Sequence, residues 1–439
     1  MRNGAKVDFT GVETVIGRDP NSVGKVLVSD PGSIWSNVGP VIIGIFGRAD
    51  VTMDGGGVIT VPNVIVVGQN LVTNSLNING GTSPQSRGVL QTGFVESTDK
   101  NGRIKFNGGV LRAAADEPKF VRPDNNSSFI IDVLTRGAFI DTNGFTVGIN
   151  RPFSGAGGLT KLGQGTLTLI AENAYLGPTA VEQGTLQLGA PPFGIGDNRL
   201  LKTTVLTVGN DDDVGSAMFN LNSFNQEVGA LSSRGSTMSR RIINSGADLK
   251  ALTVAQSNDT VYRGQLTGNL SLVKKGGGSL TITGDNTHAG PTIIEDGALV
   301  LNGVIAGSII VKIGGVLRGT GHAGLISVQN GGTVSPGHDL GTLHVDGTYT
   351  QFAGGKLFVE LGSINSFDKL QVMGDIMLDG ILELSLQDGF VPSSGMSFDV
   401  LDWSGIRSGT FSTVMLPPLP NGLFWNTSKL YVSGHISVD

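Results

Sequence analysis

Two stretches in different parts of the chain are nearly the same: KLGQGTLTLIAENAYLGPTAVEQGTLQL, from Lys161 to Leu188, and KKGGGSLTITGDNTHAGPTIIEDGALVL, from Lys274 to Leu301. They align without a gap, and 13 of their 28 positions are identical. Internal repeats of this length are typical of solenoids and propellers, in which each repeat is a small unit that buries its apolar face against its neighbours. The repeated stretch is therefore interpreted as a structural unit rather than as a catalytic signature.

Each copy alternates small or apolar residues with polar ones, which is the pattern of a β-strand with one buried face. In the first copy, Asn173, Gly177 and Pro178 supply turn geometry between two such strands. A second, tight turn at Gln183 and Gly184 separates the second strand from a third. The pattern predicts these inward-pointing residues: Leu167, Leu169, Val181, Leu186 and Leu188 in the first copy, and Leu280 and Ile282 in the second.

Elsewhere the chain repeatedly places a pair of glycines directly after a short alternating strand, as in NSLNINGGT, GRIKFNGGVLR and GLISVQNGGTVSPG. No helical periodicity is present, and glycine interrupts almost every helix-length window. A β-sandwich, a β-propeller and a parallel β-helix remain as all-β alternatives. Hairpins would show Asn-Gly or Asp-Gly turns between matched strands, whereas an apolar residue follows most glycine pairs here. The sequence therefore predicts an all-β fold, a right-handed parallel β-helix with roughly 20 to 25 residues per coil.

The composition excludes several classes of protein. Among 439 residues there are 68 glycines, but they follow no collagen triplet. The net charge is −6 and the basic residues are dispersed, so there is no basic stripe of the kind that follows a nucleic-acid backbone. The densest basic group, Arg240 and Arg241 with Arg234 nearby, is interpreted as a solvated turn. We expect no nucleic-acid partner.

Cysteine usage and hydropathy bear on the compartment. The chain has no cysteine, which suits a secreted bacterial protein that crosses an envelope unfolded. Met1 is followed by RNGAKVDFTG, which lacks the apolar core of a secretion signal, and we expect the sequence to be a mature or trimmed fragment. The longest apolar run, VITVPNVIVVG, is interrupted by Pro62 and Asn63 and is shorter than the roughly 18 residues of a membrane helix. No membrane span is expected in this chain.

The repeats resemble a known family. GGLTKLGQGTLTLIAENAYLGPTAVEQGTLQLG and NLSLVKKGGGSLTITGDNTHAGPTIIEDGALVLNG are similar to the autotransporter-associated β-strand repeat, also called the passenger-associated transport repeat. In the second copy His288 replaces the usual tyrosine, and Lys275 replaces the usual residue before Gly276. The resemblance is nearly continuous from about Gly155 to Asp439, and the earlier residues are similar to short coil repeats of related bacterial surface proteins. The predicted organisation is N-terminal coils (1–150), coils with two repeats (151–386, repeats at 157–189 and 269–302) and a C-terminal capping segment (387–439).

The resemblance implies a secreted or outer-membrane-associated bacterial passenger, moved outward by type V secretion or a similar route. Precursors of this kind normally end in a membrane β-barrel. The sequence stops at HISVD, and we expect either that the barrel has been removed or that the protein is anchored in another way.

Three functions fit this interpretation. The leading hypothesis is a non-enzymatic structural or adhesive β-helix that presents an interaction surface to a host or cell-surface glycan or protein, or to another copy of itself. The alternatives are a carbohydrate-active β-helix enzyme, either a polysaccharide lyase or a hydrolase, and a self-assembling extracellular fibre subunit.

Histidines and clustered acids are the candidates for metal binding. His322, His338 and His344 could lie together on neighbouring coils with Asp339, as three such ligands and a carboxylate would suit a metal. Their spacing matches no known ligand motif, so they are interpreted as surface or corner residues. The stretch NDDDVG, residues 210–215, could collect Ca²⁺ and is interpreted as an acidic loop.

A carbohydrate-active β-helix would need paired acids, often with a basic residue, on one face of adjacent coils. Asp368 with Lys369, and Glu295 with Asp296, are the nominal candidates, but neither pair has an evident partner from the next coil. The sequence GAGG near Gly155 lacks the Gly-Lys-Ser/Thr of a phosphate loop. No catalytic, cofactor-binding or metal-ligating residue is therefore assigned, and no cofactor is expected.

The pattern changes after about Leu386, where glycine pairs disappear and aromatic residues accumulate. A β-helix leaves an open strand edge at its end, and proline cannot donate to a further strand. We therefore predict a C-terminal cap with a plug of buried aromatic side chains. Its aromatic residues are Phe390, Phe398, Trp403, Phe411, Phe424, Trp425 and Tyr431, and its prolines are Pro417, Pro418 and Pro420.

Overall fold

The computed structural model describes residues 1–67, 73–98, 102–123, 130–190, 196–212, 214–235, 239–387, 389–420 and 422–439. The chain divides into two compact units. Unit 1 comprises Met1–Val228 and Arg234–Arg240, and unit 2 comprises Gly229–Ser233 and Arg241–Asp439.

Unit 1 is built from parallel strands in three stacked sheets, here called faces A, B and C. The chain visits the faces in that order, so that each strand pairs with the equivalent strand of the next coil. Face A contains Lys6–Phe9, Ile34–Asn37, Val58–Thr60, Val89–Thr92, Val110–Ala113, Ala138–Asp141, Leu159–Leu162, Thr179–Val181 and Val205–Val208. Face B contains Thr14–Ile16, Val41–Ile43, Asn63–Val66, Phe94–Ser97, Glu117–Pro123, Thr146–Ile149, Thr166–Leu169, Gly184–Leu188 and Ala217–Asn220. Face C contains Val23–Val28, Arg48–Met53, Asn74–Asn79, Gly102–Asn107, Ile130–Val133, Phe153–Gly155 and Ala174–Tyr175. The unit also has a short 3₁₀ turn at Pro84–Ser86 and a strand at Gln226–Val228.

Unit 2 has two main faces, D and E, whose strands are mostly parallel. Face D contains Lys250–Ala255, Leu270–Lys275, Asp285–Asn286, Thr292–Ile294, Val304–Val311, His322–Val328, Thr342–Val345, Tyr349–Gln351, Lys369–Val372, Ile376–Leu378, Leu401–Trp403 and Arg407–Gly409. Face E contains Thr260–Tyr262, Ser279–Ile282, Gly297–Leu301, Gly315–Gly319, Thr333–Pro336, Lys356–Ser363, Ile381–Leu386 and Thr413–Met415, with Ser366–Phe367 antiparallel to one of them. Strands also span Ala230–Ser233, Arg240–Asn244 and Gln265–Gly268.

The interior is a set of ladders in which like residues stack on successive coils. On face B, Leu167 pairs with Val147 of the preceding coil and with Leu186 of the next. A buried leucine of this kind contributes roughly 1.5 to 3 kcal/mol of hydrophobic stabilisation. The predicted inward residues are all almost fully shielded from solvent: Leu167, Leu169, Val181, Leu186, Leu188, Leu280 and Ile282. The prediction of an all-β, right-handed parallel β-helix is confirmed.

Coil length varies more widely than the sequence predicts. The coil that leads from Ile309 to its register partner Ile326 is short. The coil that leads from Gly184 to its partner Ala217 is nearly twice as long. The longer coils carry their extra residues between strands, so the ladder register survives the insertion.

The C-terminal segment combines further coil strands with a different element. The parallel strands continue to Thr413–Met415, and Pro417 and Pro418 follow shortly after that strand. The strands Ser397–Asp399, Trp425–Asn426 and His435–Val438 form an antiparallel sheet, next to a one-turn helix at Leu430–Ser433.

The aromatic residues of this segment are only partly buried. The Phe398 ring is fully buried, and its centroid lies 5.6 Å from that of Phe367 and 6.2 Å from that of Trp425. Phe411 is also buried, but Phe424 is 64% exposed. The prediction of a buried plug is therefore wrong for Phe424. None of the helices among the described residues has the length and apolar character needed to cross a membrane.

Candidate functional site

The lysine at the start of the first repeat is buried and binds the main chain of a corner. Lys161 Nζ donates to the carbonyl oxygens of Leu162 at 2.8 Å, Gly163 at 2.6 Å and Gln183 at 3.0 Å. Burial lowers the pKa of Lys161 to about 7, against the opposing effect of the Asp141 carboxylate. This amino group therefore stabilises the turn instead of facing solvent.

Lys274 repeats this arrangement in the second copy. Its Nζ donates to the carbonyl oxygens of Lys275 at 2.9 Å, Gly276 at 2.6 Å and Asp296 at 3.1 Å. Burial lowers the pKa of Lys274 to about 8, with Asp296 opposing the shift. Two equivalent lysines with equivalent partners identify this residue as a structural element of the repeat.

A buried asparagine at equivalent positions connects successive coils. The side-chain oxygen of Asn173 accepts from the Phe153 N–H at 2.9 Å, and that of Asn286 accepts from the Leu266 N–H at 2.9 Å. Each side-chain amide also donates to two carbonyl oxygens. All the hydrogen-bonding groups of these side chains are thus engaged with the main chain.

The residue two positions later differs between the copies but makes the same bond. The Tyr175 hydroxyl lies 2.6 Å from Thr179 Oγ1, and His288 Nε2 lies 2.9 Å from Thr292 Oγ1. Burial lowers the pKa of His288 to about 4, while the backbone of Leu266 acts in the opposite direction. The histidine in the second copy therefore remains neutral and fulfils the structural role of the tyrosine.

The structure separates Asp368 from Lys369. Asp368 is fully buried, and its two carboxylate oxygens accept from the main-chain N–H groups of Gly341 and Glu360, each at 3.0 Å. Burial raises the pKa of Asp368 to about 7, although these two N–H groups favour the carboxylate. Lys369 forms ion pairs with Asp399 and Asp402 instead. The two side chains are not brought together as a catalytic pair.

In the second nominal acid pair, only Glu295 is engaged in ion pairs. The Glu295 carboxylate lies 3.1 Å from Lys312 Nζ and 3.3 Å from Lys275 Nζ, and the Lys312 hydrogen bond is the main cause that lowers the pKa of Glu295. Asp296 is exposed, and its carbonyl accepts from the buried Lys274.

The acidic loop is held by its asparagine. The Asn210 side-chain amide donates to the carbonyl oxygens of Glu182 at 2.9 Å and Val214 at 3.0 Å. Asp211 and Asp212 are exposed, and Asp213 lies outside the described residues.

One sequence interpretation of a basic group is wrong. Arg240 and Arg241 lie in a strand rather than a turn, and Arg240 is only 1% exposed. Arg241 and Arg234 are exposed.

Two of the three nominated histidines come together on face D. His322 and His344 are register partners, and their rings stack with centroids 4.5 Å apart and planes inclined by 7°. His322 Nδ1 lies 3.0 Å from Oδ1 of Asp346, a residue that the sequence analysis did not nominate. Burial, followed by the charge of His322, lowers the pKa of His344.

The other nominated ligands are not part of this cluster. His338 and Asp339 are exposed residues beyond the end of a face E strand. In the part of the chain that the structure describes, no group of three or more histidines and acids is positioned to hold a metal ion.

Unit 1 has a groove on the outer surface of face A, which we call the arginine groove and define by Arg87, Arg136, Phe139, Glu182 and Arg234. Its volume is about 310 Å³. The Arg87 guanidinium carbon lies 3.6 Å from the centroid of the Phe139 ring, within the range of a cation–π contact. Arg136 Nη1 donates to the Gly80 carbonyl at 3.0 Å, which fixes the position of that side chain.

The groups of the arginine groove influence one another electrostatically. Burial is the main cause that raises the pKa of Glu182, and the charges of Arg87 and Arg234 oppose the shift. Burial lowers the pKa of Arg87, and Glu182 opposes that shift. Arg87 Nε is buried and has no hydrogen-bond partner among the described residues.

The sequence contains a signal for this groove that the sequence analysis did not use. Each of its three arginines immediately precedes a glycine at a corner, in SRGVL, TRGAF and SRGST. These arginines are far apart in the chain and unevenly spaced, so only the number and length of the intervening coils bring them to one surface.

Comparison with known proteins agrees with the fold and the repeats. The family model of the passenger-associated-transport-repeat matches residues 159–188 and 272–301. The chain is 32% identical over 182 residues to the adhesin BmaC autotransporter of Brucella suis, which covers 38% of this chain and 5% of that protein. It is 29% identical over 238 residues to the Neisserial autotransporter lipoprotein NalP of Neisseria meningitidis, which covers 52% of this chain and 20% of that protein.

A third relative is named as an enzyme. The chain is 29% identical over 126 residues to an extracellular serine protease of Serratia marcescens, which covers 29% of this chain and 12% of that protein. The chain thus spans at most a fifth of the length of these relatives. It is a β-helical protein with two segments that match the passenger-associated transport repeat, and it is similar to autotransporter passengers. These similarities support a secreted or surface-exposed location for it.

Proposed function

We propose that this chain is a non-catalytic, adhesive part of a bacterial passenger, in which the β-helix holds a binding surface toward a host or cell-surface glycan or protein. The observation that carries the proposal is the use made of the buried polar groups. Lys161, Lys274 and Asp368 have strongly shifted pKa values, which often mark catalytic sites. Here each of them binds two or three main-chain groups of a corner or strand, so the shift is a consequence of holding the fold.

Two further observations support this function. Of the acids nominated for carbohydrate chemistry, Glu295 is engaged in ion pairs and Asp368 is bound to main-chain N–H groups, whereas Asp296 is exposed and forms no ion pair among the described residues. The similar proteins include one named as an adhesin and one named as a protease, so stretches similar to this chain occur in proteins with different activities. A repeat that only stabilises the coils is compatible with an adhesin and with a protease. The outward side chains then determine what the chain binds.

Two measurements on the purified chain test the proposal. Immobilised extracellular-matrix glycoproteins and a glycan array should retain the folded chain and not the heat-unfolded chain. Incubation with casein and with a panel of neutral and acidic polysaccharides should release no fragments.

Cleavage of any of these substrates by the folded chain would overturn the non-catalytic assignment, provided that the heat-unfolded chain cleaves none of them. Concentration-dependent polymers in sedimentation, without retention on any surface, would instead favour the fibre subunit.

A further inference from the structure

The floor of the arginine groove is a column of outward-facing residues on four successive coils. Phe139, Thr160, Ala180 and Thr207 are register partners across the strands of face A. Successive members of such a column are about 4.8 Å apart, which makes the floor about 15 Å long. It has an aromatic ring at one end and hydroxyl groups along it.

The walls of the groove present three guanidinium groups, two of which are held in place by the fold. Phe139 supports the Arg87 guanidinium from one side, and the Gly80 carbonyl fixes Arg136. Arg234 lines the same groove. Because less conformational freedom is lost when a ligand binds side chains that are already ordered, this arrangement favours binding.

The charge of the groove favours an anion. Three guanidinium groups and one carboxylate, that of Glu182, line it. Burial disfavours the charged form of that carboxylate, as the raised pKa of Glu182 indicates. The carboxylates of Asp211 and Asp212 also act on Glu182 from outside the lining, so the excess of positive charge is confined to the residues that line the groove, in a chain whose net charge is −6.

We propose that the arginine groove binds an anionic saccharide, with a carboxylate or sulfate group held by Arg87, Arg136 and Arg234 and a sugar ring lying on the threonine floor. Guanidinium groups bind such oxyanions through paired, charge-assisted hydrogen bonds. This inference names a ligand class for the proposed adhesive function and rests on it.

The geometry favours a saccharide over an acidic peptide. The floor strands Leu159–Leu162 and Thr179–Val181 are each paired on both sides, so a peptide cannot add to them as a further strand. The outward hydroxyl groups of Thr160 and Thr207 match the hydroxyl-rich edge of a sugar. A volume of about 310 Å³ suits a short stretch of glycan rather than an extended polymer segment.

The test measures binding of the full chain to three probes by calorimetry at low and moderate salt. Hyaluronan fragments carry only carboxylates, dextran sulfate carries only sulfates, and dextran is the neutral control. Because the chain is acidic overall, attraction of a polyanion to the whole surface is weak, and binding reports a local site. We expect binding to at least one anionic probe, weaker binding as salt rises, and none to dextran.

Variants then locate the site. The double change Arg87→Gln with Arg234→Gln should weaken binding at least tenfold, and Glu182→Gln should strengthen it about two- to fivefold by removing a like charge. Arg122→Gln is the matched control, because the Arg122 guanidinium carbon lies 3.7 Å from the Phe94 ring centroid on face B, outside the groove. It removes one charge where the double variant removes two, from an arginine that is also stacked on a phenylalanine ring but is ion-paired with Glu96 and Glu117, and it should change binding less than twofold. Unchanged circular dichroism and melting temperature verify the fold of every variant.

The outcomes separate this site from the broader function. Binding of anionic glycan that is lost in the arginine double variant and retained in Arg122→Gln supports the proposal. Equal loss in both variants, no loss in the double variant, or tighter binding of poly-glutamate than of any saccharide overturns it. If the double variant binds the anionic probe as the wild type does and still adheres to glycoprotein surfaces, the groove assignment is wrong and the adhesive function stands. If the wild type adheres to no surface yet binds an anionic probe through these arginines, the groove is correct and the adhesive function is wrong.

Discussion

The second repeat should add to the acid sensitivity of unit 2 through its buried histidine, His288. His288 occupies the position that Tyr175 has in the first repeat, and both side chains bond to a buried threonine hydroxyl. Tyrosine has no titration near neutral pH, whereas burial lowers the pKa of His288 from 6.5 to about 4. The change His288→Tyr should keep the bond to Thr292 and remove the titration.

The size of the effect follows from proton linkage. Between pH 4 and 6.5 the unfolded chain binds this proton and the folded chain does not, so stability rises with pH in that window. The stability that depends on a neutral His288 is fully present above about pH 6.5 and is lost as the pH falls toward 4. From the two pKa values, the loss between pH 7 and pH 5 is about 2 kcal/mol, with a limit of about 3 kcal/mol below pH 4.

Urea unfolding of the wild type and of His288→Tyr at pH 7 and pH 5 measures this difference. Acidic groups elsewhere titrate in both proteins, so the difference between the two pH dependences isolates the histidine. We expect the wild type to lose about 2 kcal/mol more than the variant between the two pH values. The reciprocal change Tyr175→His should introduce the same acid sensitivity in unit 1. Parallel pH dependences in the wild type and His288→Tyr would refute the reasoning.

Three other changes test the structural roles of buried residues, each by denaturant unfolding. Lys161→Met leaves three corner carbonyls without a donor and should lower the free energy of unfolding by about 2 to 4 kcal/mol. The control Lys275→Met, at an exposed position, should lower it by less than about 1 kcal/mol. Equal losses would contradict the role of Lys161 at the corner. Asp368→Asn places an amide donor against one of two N–H groups and should lower the free energy of unfolding by about 1 to 3 kcal/mol. An unchanged denaturant midpoint would show that the carboxylate is not needed for stability. Leu280→Ala opens a cavity in a fully buried ladder and should cost about 2 to 5 kcal/mol, and a loss below about half a kcal/mol would contradict its inward position.

The fold could be predicted because the sequence signals for its strands and corners lie within short stretches of the chain. Alternation places Leu167 and Leu169 on one face, and glycine corners mark where each strand ends. The lengths of the coils were not predictable, since loops inserted between strands leave the ladder register unchanged. The long stretch from Gly184 to Ala217 makes one turn of the helix on face B, just as the much shorter stretch from Leu167 to Leu186 does.

The buried polar side chains were not predicted from the sequence, because the inward and outward alternation of strand residues was applied only to apolar residues. Lys161 has the same parity as Leu159 and therefore points inward with it. Its aliphatic stem lies in the core, and its amino group reaches the corner carbonyls. A lysine at inward parity next to a glycine corner is thus a sequence signal for this arrangement.

Side-chain clusters on the surface depend on coil length, which explains the mixed outcome for the histidines. The spacing of His322 and His344 equals one full coil at that place, and their rings stack. His338 follows His322 by less than one full coil and falls beyond a strand of another face. Spacing alone could not distinguish these cases without the register of the coils.

The two repeats show where functional differences reside in this architecture. Their inward polar groups correspond in role, with lysine, asparagine and a tyrosine or histidine bonded to the same kinds of partner. Some of their outward positions differ: Thr160 and Ala180 in the first copy correspond to Val273 and Ile293 in the second, although Glu182 corresponds to Glu295. Inward residues are constrained because each must satisfy the main chain of two coils, whereas a change of an outward residue costs little stability. A hydroxyl floor beneath arginines in one repeat and an aliphatic surface in the other are therefore compatible with the same coil. Exchanging the outward pair Thr160 and Ala180 for valine and isoleucine should leave the melting temperature of the chain nearly unchanged, while abolishing any binding that depends on the arginine groove.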